Sequence, residues 1–249
     1  MKQGIVVGCD RNQEWLLPWW WKHYSEHNTY PVVFMDFGLS PEALAWCKER
    51  GTCVDLSTVD PKQFLKIPES PIKEKWESRC GPELWNERHA WFKKPFACFY
   101  SPFESSIWLD LDCEVRGDLA PIFNCLGLGA EIAISKESQS IQELHQNLGF
   151  LLPGEINYNS GVIAFKKGAA IDFWLEQTVC HNEQFIGDQQ ALSRAIFLKP
   201  FSLVELPAAF NWSPAEGQND QATIVHYHGG HFKQEIANQL NVTDLSKSF

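Results

Sequence analysis

Two aspartates that end one apolar run, and three histidines that end another, are the residues best spaced to do chemistry. Ser106-Ile-Trp-Leu-Asp-Leu-Asp112 reads as a buried strand closing on an Asp-x-Asp pair. In an extended chain, side chains at i and i+2 share a face, with Cα atoms about 6.6 Å apart. Two carboxylates beside Ile-Trp-Leu repel each other unless a cation lies between them or water reaches both. Hard divalent cations such as Mn2+ and Mg2+ take oxygen ligands, often one or two carboxylates plus substrate phosphates. Taken alone, the pair reads first as a turn cap at Asp110 and a solvated Asp112. The second run, Thr223-Ile-Val-His-Tyr-His-Gly-Gly-His231, supplies a third ligand. There His226 is the candidate, since imidazole suits Mn2+ in a mixed nitrogen and oxygen set. Three histidines within six positions also suit zinc, but no fourth ligand stands at a recognisable spacing. His228 and His231 read as ordinary polar residues.

These groups need a scaffold. Apolar, β-branched runs recur at Ile5–Val7, Pro31–Met35, Ile107–Leu111, Glu131–Ile134, Gly161–Phe165, Leu203–Leu206 and Ala222–Tyr227. Helical patterns lie between several of them. One starts at Ser40-Pro41-Glu42 and stops at Gly51, a second covers Ala169–Cys180, and a third runs from Gly187 to Phe197. Trp15–Trp21 reads as packing within a first helix. Strands alternating with helices predict an α/β fold with a mostly parallel sheet covered on both faces. Ligands then bind beyond the carboxyl ends of the strands, where both motifs fall. No GxxxxGK[ST] is present and no GxGxxG follows the first strand, so a bound nucleotide needs another partner for its phosphates. Gly127-Leu-Gly129 reads as a plain turn.

A chain of 249 residues, 44% of them hydrophobic, can bury a sizeable core and predicts one domain over residues 1–249. The net charge of -10 disfavours nucleic acid and anionic membranes as partners. No segment approaches the ~20 apolar residues of a membrane span, and the opening residues lack a signal peptide's h-region. Eight cysteines without a CxxC pair read as reduced thiols. A cytoplasmic protein is expected, in which the sequons at Asn211 and Asn241 carry no meaning.

At this point the motifs line up with a known family. The chain resembles GT-A glycosyltransferases, a Rossmann-like fold with a mixed sheet, and especially the retaining family 8 group of bacterial lipopolysaccharide galactosyltransferases and glycogenin. The likeness runs in order from Ile5 to about Lys233, in short blocks. Ile5-Val-Val-Gly-Cys-Asp-Arg-Asn12 looks like the opening strand and donor-base loop. Ile107-Trp-Leu-Asp-Leu-Asp112 looks like the Asp-x-Asp strand, and Tyr158-Asn-Ser-Gly-Val-Ile163 is similar to the block that lines the donor sugar. Asp188-Gln189 matches a pair near the anomeric carbon. Phe210-Asn-Trp and Ile224-Val-His-Tyr-His-Gly229 resemble the last two blocks. The resemblance implies Asp10 and Asn12 at the uracil nucleoside, Asn159, Ser160, Gly161 and Asp188 at the sugar, and Gln189 near the reacting carbon. It also implies Gly229 at the diphosphate. Lys233, one residue later than the family's lysine, is the candidate for the donor phosphates, and Lys93-Lys94-Pro95 stands where the family often has an arginine ahead of the Asp-x-Asp strand, one of the two lysines being expected at the donor.

The expected activity is transfer of a hexose from a UDP-sugar, with retention, to a saccharide, lipid-linked or protein acceptor. Mn2+ or Mg2+ on Asp110, Asp112 and His226 is the expected cofactor. Residues 1–112 form the nucleotide half, 113–233 the sugar and acceptor half, and 234–249 a helix or tail. Acceptor recognition is expected in loops at Pro61–Arg88 and Ser135–Ile156. The rivals are a metal-dependent hydrolase or nucleotidyltransferase, a glycosidase needing two carboxylates and no metal, and a non-catalytic interaction protein using the Trp15–Trp21 surface.

Overall fold

The computed structural model describes residues 2–69 and 71–240. Nine strands form among them: β1 Gln3–Cys9, β2 Val32–Asp36, β3 Thr52–Asp55, β4 Ser105–Leu109, β5 Cys113–Val115, β6 Ile132–Lys136, β7 Tyr158–Lys166, β8 Leu203–Glu205 and β9 Ile224–His226. Seven build one sheet in the order β3-β2-β1-β4-β7-β6-β8. All neighbours are parallel except β7, which runs antiparallel to both β4 and β6.

The strand sequences explain why both faces are covered. Alternate residues point to opposite faces, so near-continuous apolar runs must be buried on both. Ile5, Val7, Ile107, Leu109, Val162 and Ala164 join one core, together with helix Leu17–His27 and helix Ala120–Gly127. Val6, Trp108, Ile163 and Phe165 join the other, with helices Ala169–Cys180 and Asp188–Leu198. Trp15, Trp19 and Trp20 are buried, and Trp20 stacks on Tyr24 at 4.9 Å. Three of the four tryptophans therefore pack the core and Trp21 is half-buried against it, which leaves little of the surface that the interaction-protein reading required.

Three expectations change. The strand expected over Ile107–Leu111 ends at Leu109; Asp110–Cys113 is a turn, closed by the Cys113 N–H donating to the Asp110 carbonyl at 3.0 Å. The loops expected at 61–88 and 135–156 contain helices Ile72–Cys80, Leu84–Trp91 and Gln139–Leu148. These carry a small third core of Trp76, Leu84, Phe150 and Ile186. Buried Arg88 ties that region down, donating to the carbonyls of Lys66, Asn182, Phe185 and Ile186. The last expected element is a helix over Gly230–Gln239; residues 241–249, with the sequon at Asn241, lie outside the described residues. No helix among the described residues is long and apolar enough to cross a membrane.

Candidate metal and donor site

Sequence-distant residues meet because of two pairings. β4 delivers Asp110 beside β7, where the Asp110 N–H donates to the Gly161 carbonyl at 2.9 Å. The turn then feeds β5, which pairs antiparallel with β9 so that Cys113 faces His226. The Tyr227 N–H donates to the Asp112 carbonyl at 2.9 Å, which pins the second aspartate next to the histidine. His226 Nε2 lies 3.2 Å from Asp112 Oδ1 and 3.7 Å from Asp110 Oδ2. The three sequence-predicted ligands are thus brought together by a turn and a ribbon rather than by one extended strand. Gly161 makes room: a Cβ there would overlap the His226 ring, so this position takes no larger residue while the ring stays in place.

Two lysines neutralise the acids. Lys94 Nζ stands 2.9 Å from Asp110 Oδ1 and 3.4 Å from Asp188 Oδ2, and donates to the Ser160 carbonyl at 3.1 Å. Burial pulls the Lys94 pKa down, but Asp110 and Asp188 outweigh it and hold the ammonium charged. Lys233 Nζ lies 3.3 Å from Asp112 Oδ2. Burial alone pushes the Asp112 carboxyl up, whereas the Lys233 ammonium leads the opposing charges and keeps it well below the usual carboxylate range. Asp188 is the exception: burial, partly offset by Lys94, leaves its pKa raised. Its carboxylate accepts from Ser160 Oγ at 2.8 Å. Asp188 therefore does more than begin its helix.

Two buried atoms in the cluster, Asp112 Oδ1 and His226 Nε2, have no hydrogen-bond partner. Orphaned buried acceptors are costly, and each needs a reason. A divalent cation between two carboxylates and an imidazole is such a reason, and the donor set fits Mn2+ or Mg2+. Cys113 also lies within ligand reach of Asp112 and His226. Burial pushes its thiol well up, with Asp112 adding to the effect, and its Sγ faces the Gly161 carbonyl at 3.8 Å. A protonated thiol is a poor ligand for a hard cation. The three-histidine zinc reading is not supported: His228 bonds Ser213 Oγ at 3.1 Å, and exposed His231 sits 3.7 Å from Glu235.

The remaining predicted residues divide into groups. Asn159 Oδ1 accepts from the Gly161 N–H at 2.9 Å, and Gln189 Oε1 from the Ser160 N–H at 3.3 Å, so both border the Asp188–Lys94 pair. Gly229 has φ of 94° and precedes helix Gly230–Gln239, which carries Lys233. Asp10 and exposed Asn12 lie past the end of β1, the Asn12 N–H donating to Asp10 Oδ1 at 2.9 Å. Among the described residues, no hydrogen bond joins them to the carboxylate cluster. The two lysines separate: Lys94 belongs to the cluster, while buried Lys93 donates to the Phe37 carbonyl at 2.9 Å on the Asp10 side. Burial lowers the Lys93 pKa, with Asp10 the leading opposing charge.

Sequence reasoning missed Glu137 and did not assign Asn211 a role. Glu137 Oε1 accepts from Asn159 Nδ2 and Gln189 Nε2, both at 2.9 Å. Asn211 Oδ1 faces His226 Nδ1 at 3.0 Å. The polar run Ser135-Lys-Glu-Ser-Gln-Ser140 holds no local signal for Glu137, whose partners are 22 and 52 residues away.

No protein-family model and no curated protein matches the sequence. Solved structures do match. The galactosyltransferase LgtC, in complex with donor and acceptor sugar analogues, aligns with a TM-score of 0.61 at 15% identity, over 98% of this chain and 95% of that one. Mouse xyloside xylosyltransferase 1 aligns with a TM-score of 0.61 at 14% identity, over 91% and 97%. The glycosyltransferase GlyE of Streptococcus pneumoniae gives 0.56 at 16% identity, over 99% of this chain and 62% of its own. These neighbours are GT-A glycosyltransferases, and the chain has the GT-A glycosyltransferase fold.

Proposed function

We propose that the protein is a metal-dependent glycosyltransferase that moves a hexose from a UDP-sugar to an acceptor with retention of configuration. The observation that carries this reading is the orphaned pair of Asp112 Oδ1 and His226 Nε2, 3.2 Å apart and buried beside Asp110. Asp110, Asp112 and His226 hold Mn2+ or Mg2+, which when bound supplies a Lewis acid for the diphosphate leaving group. Lys233 adds a charge-assisted donor where negative charge develops as the anomeric C–O bond breaks. The first turn of helix Gly230–Gln239, entered through Gly229, presents backbone N–H groups suited to phosphate. Asp10 accepts from the uracil N3–H, Asn12 lies against the nucleoside, and Lys93 holds the Phe37 carbonyl beside them. Asn159, Ser160 and Asp188 bind sugar hydroxyls, with Gln189 near the reacting carbon. Lys94 bridges Asp110 and Asp188 and orients both. The chain works as one donor-binding unit, residues 1–112 serving the nucleotide and 113–233 the sugar and acceptor.

The test is a thermal shift with UDP, Mn2+, both, and both plus chelator. Ligand at a hundredfold excess over Kd stabilises by about 2.7 kcal/mol. For a chain of this size that raises Tm by roughly 5–10 °C. The rise is expected only with UDP and Mn2+ together, and chelator should reverse it. No shift with any combination counts against the reading. Transfer of sugar to a saccharide, lipid-linked or protein acceptor, as opposed to release of free sugar, then separates a transferase from a hydrolase.

A further inference from the structure

We propose that Asn211 and Asn159 are positioning residues in a one-way hydrogen-bond chain from His226 to Glu137, and that this chain keeps the Nε2 lone pair of His226 free for a divalent cation. The inference rests on the cation reading of the Asp110–Asp112–His226 cluster and adds what prepares the histidine for it.

The direction of the chain follows from two groups that have no choice of role. The Gly161 backbone N–H can only donate, and it meets Asn159 Oδ1 at 2.9 Å. The Glu137 carboxylate accepts, and it meets Asn159 Nδ2 at 2.9 Å. Both fix the Asn159 amide the same way round, so its oxygen and nitrogen cannot be exchanged without breaking two bonds. Asn159 Oδ1 then takes Asn211 Nδ2 at 3.0 Å, which turns the Asn211 oxygen toward His226. That oxygen lies 3.0 Å from His226 Nδ1. An amide oxygen cannot donate, so Nδ1 carries the proton and the neutral ring bears its lone pair on Nε2.

The outcome is not what the local surroundings of the ring favour. Nε2 is buried 3.2 Å from Asp112 Oδ1, and the other tautomer would give that carboxylate a charge-assisted hydrogen bond. Such a bond would close the site to a cation by filling the histidine's ligating position with hydrogen. The chain prevents this by making the other tautomer place two facing acceptors at Asn211, and it leaves Nε2 and Asp112 Oδ1 as the unpartnered pair. The same Glu137 oxygen takes Gln189 Nε2 at 2.9 Å, so the anchor of the chain also orients a residue assigned to the donor sugar. Partners behind a metal-binding histidine set its tautomer and basicity in this manner.

The test combines the imidazole signal of metal-free protein with Mn2+ titration. Protein carrying 15N-labelled histidine, held well above the imidazole titration range, should show His226 protonated at Nδ1. Asn211→Ala should move the ring toward Nε2–H and weaken Mn2+ binding, followed by electron paramagnetic resonance, about 10- to 100-fold. Asn211→Asp keeps an acceptor opposite Nδ1 but loses the donor to Asn159 Oδ1, so it should retain the Nδ1–H form and recover part of the Mn2+ affinity that the alanine variant loses. A packing role alone would lower Tm in both variants without this split. An Nε2–H signal in the unaltered protein overturns the proposal without any variant having to fold. So does a parent-like tautomer and Mn2+ affinity in folded Asn211→Ala. Nδ1–H in a parent protein that does not bind Mn2+ upholds the chain and overturns the cation reading instead.

Discussion

Asp112→Asn should eliminate the Mn2+-dependent part of UDP binding and slow sugar transfer about a thousandfold, an effect of about 4 kcal/mol on the barrier. The substitution keeps the side chain's size and removes one charge from a nearly fully buried position between His226 and Lys233. Folding should survive, because the introduced amide can donate to the orphaned His226 Nε2. That same bond occupies the nitrogen a cation needs. The loss should appear both in the thermal shift with UDP and Mn2+ and in UDP release from a UDP-sugar. A variant that binds and turns over like the parent would show that Asp112 is not a ligand.

Lys94→Met should be the most destabilising single change at the site. Lys94 is the shared partner of Asp110, Asp188 and the Ser160 carbonyl, and its side chain is only 11% exposed. Removing one member of a buried ionic group typically costs about 3–5 kcal/mol, because charges remain without a partner. In a chain of this length that corresponds to a Tm lowered by roughly 6–20 °C. The deficit should depend on pH in a set direction. Burial already raises the Asp188 pKa even with Lys94 beside it. Without the ammonium, the native state holds a proton on Asp188 more tightly than the unfolded chain does. Stability of the variant is therefore best below the unfolded carboxylate range and falls as pH rises through the folded-state value. Urea unfolding at a series of pH values measures this, and a difference from the parent that stays constant with pH would contradict it.

The parts of this site that were legible in the sequence are those announced by local contrast. Asp110, Asp112 and His226 each interrupt or follow an apolar run, and the strands β1, β4, β7 and β9 are apolar because both faces of their sheet, or one face and a neighbouring helix, are covered. Ser40 could be read as a helix start because its side chain does what the sequence suggests, accepting from the Ala43 N–H at 3.1 Å. Elements without such contrast were not legible. Helix Ile72–Cys80 buries only Trp76 and shows little contrast, whereas helix Gln139–Leu148 does carry an apolar stripe, Ile141, Leu144 and Leu148, none of it fully buried. β3 is a short sheet-edge strand with no fully buried residue, and β5 has three residues whose identity as a strand depends on β9, about a hundred positions away.

Roles set by long-range partners were equally hidden. Adjacent lysines at 93 and 94 look interchangeable in sequence, yet the helix starting at Lys94 turns one toward Asp110 and leaves the other on the Phe37 carbonyl. Glu137 sits in a polar segment and becomes visible only when β6 and β7 bring it beside Asn159 and helix Asp188–Leu198 brings Gln189. The Asp-x-Asp pair was found for a partly mistaken reason. Its two carboxylates meet through a turn and a second ribbon, not through the same-face geometry of a continuous strand.

The most direct measurement is an anomalous difference map from crystals grown with manganese chloride and UDP. One strong manganese peak is expected at Asp112 and His226 Nε2, with Asp110 and UDP phosphate oxygens in the same coordination sphere. A peak at any other group of residues, or UDP bound while Lys94 and Lys233 alone still neutralise the two aspartates, would contradict this expectation.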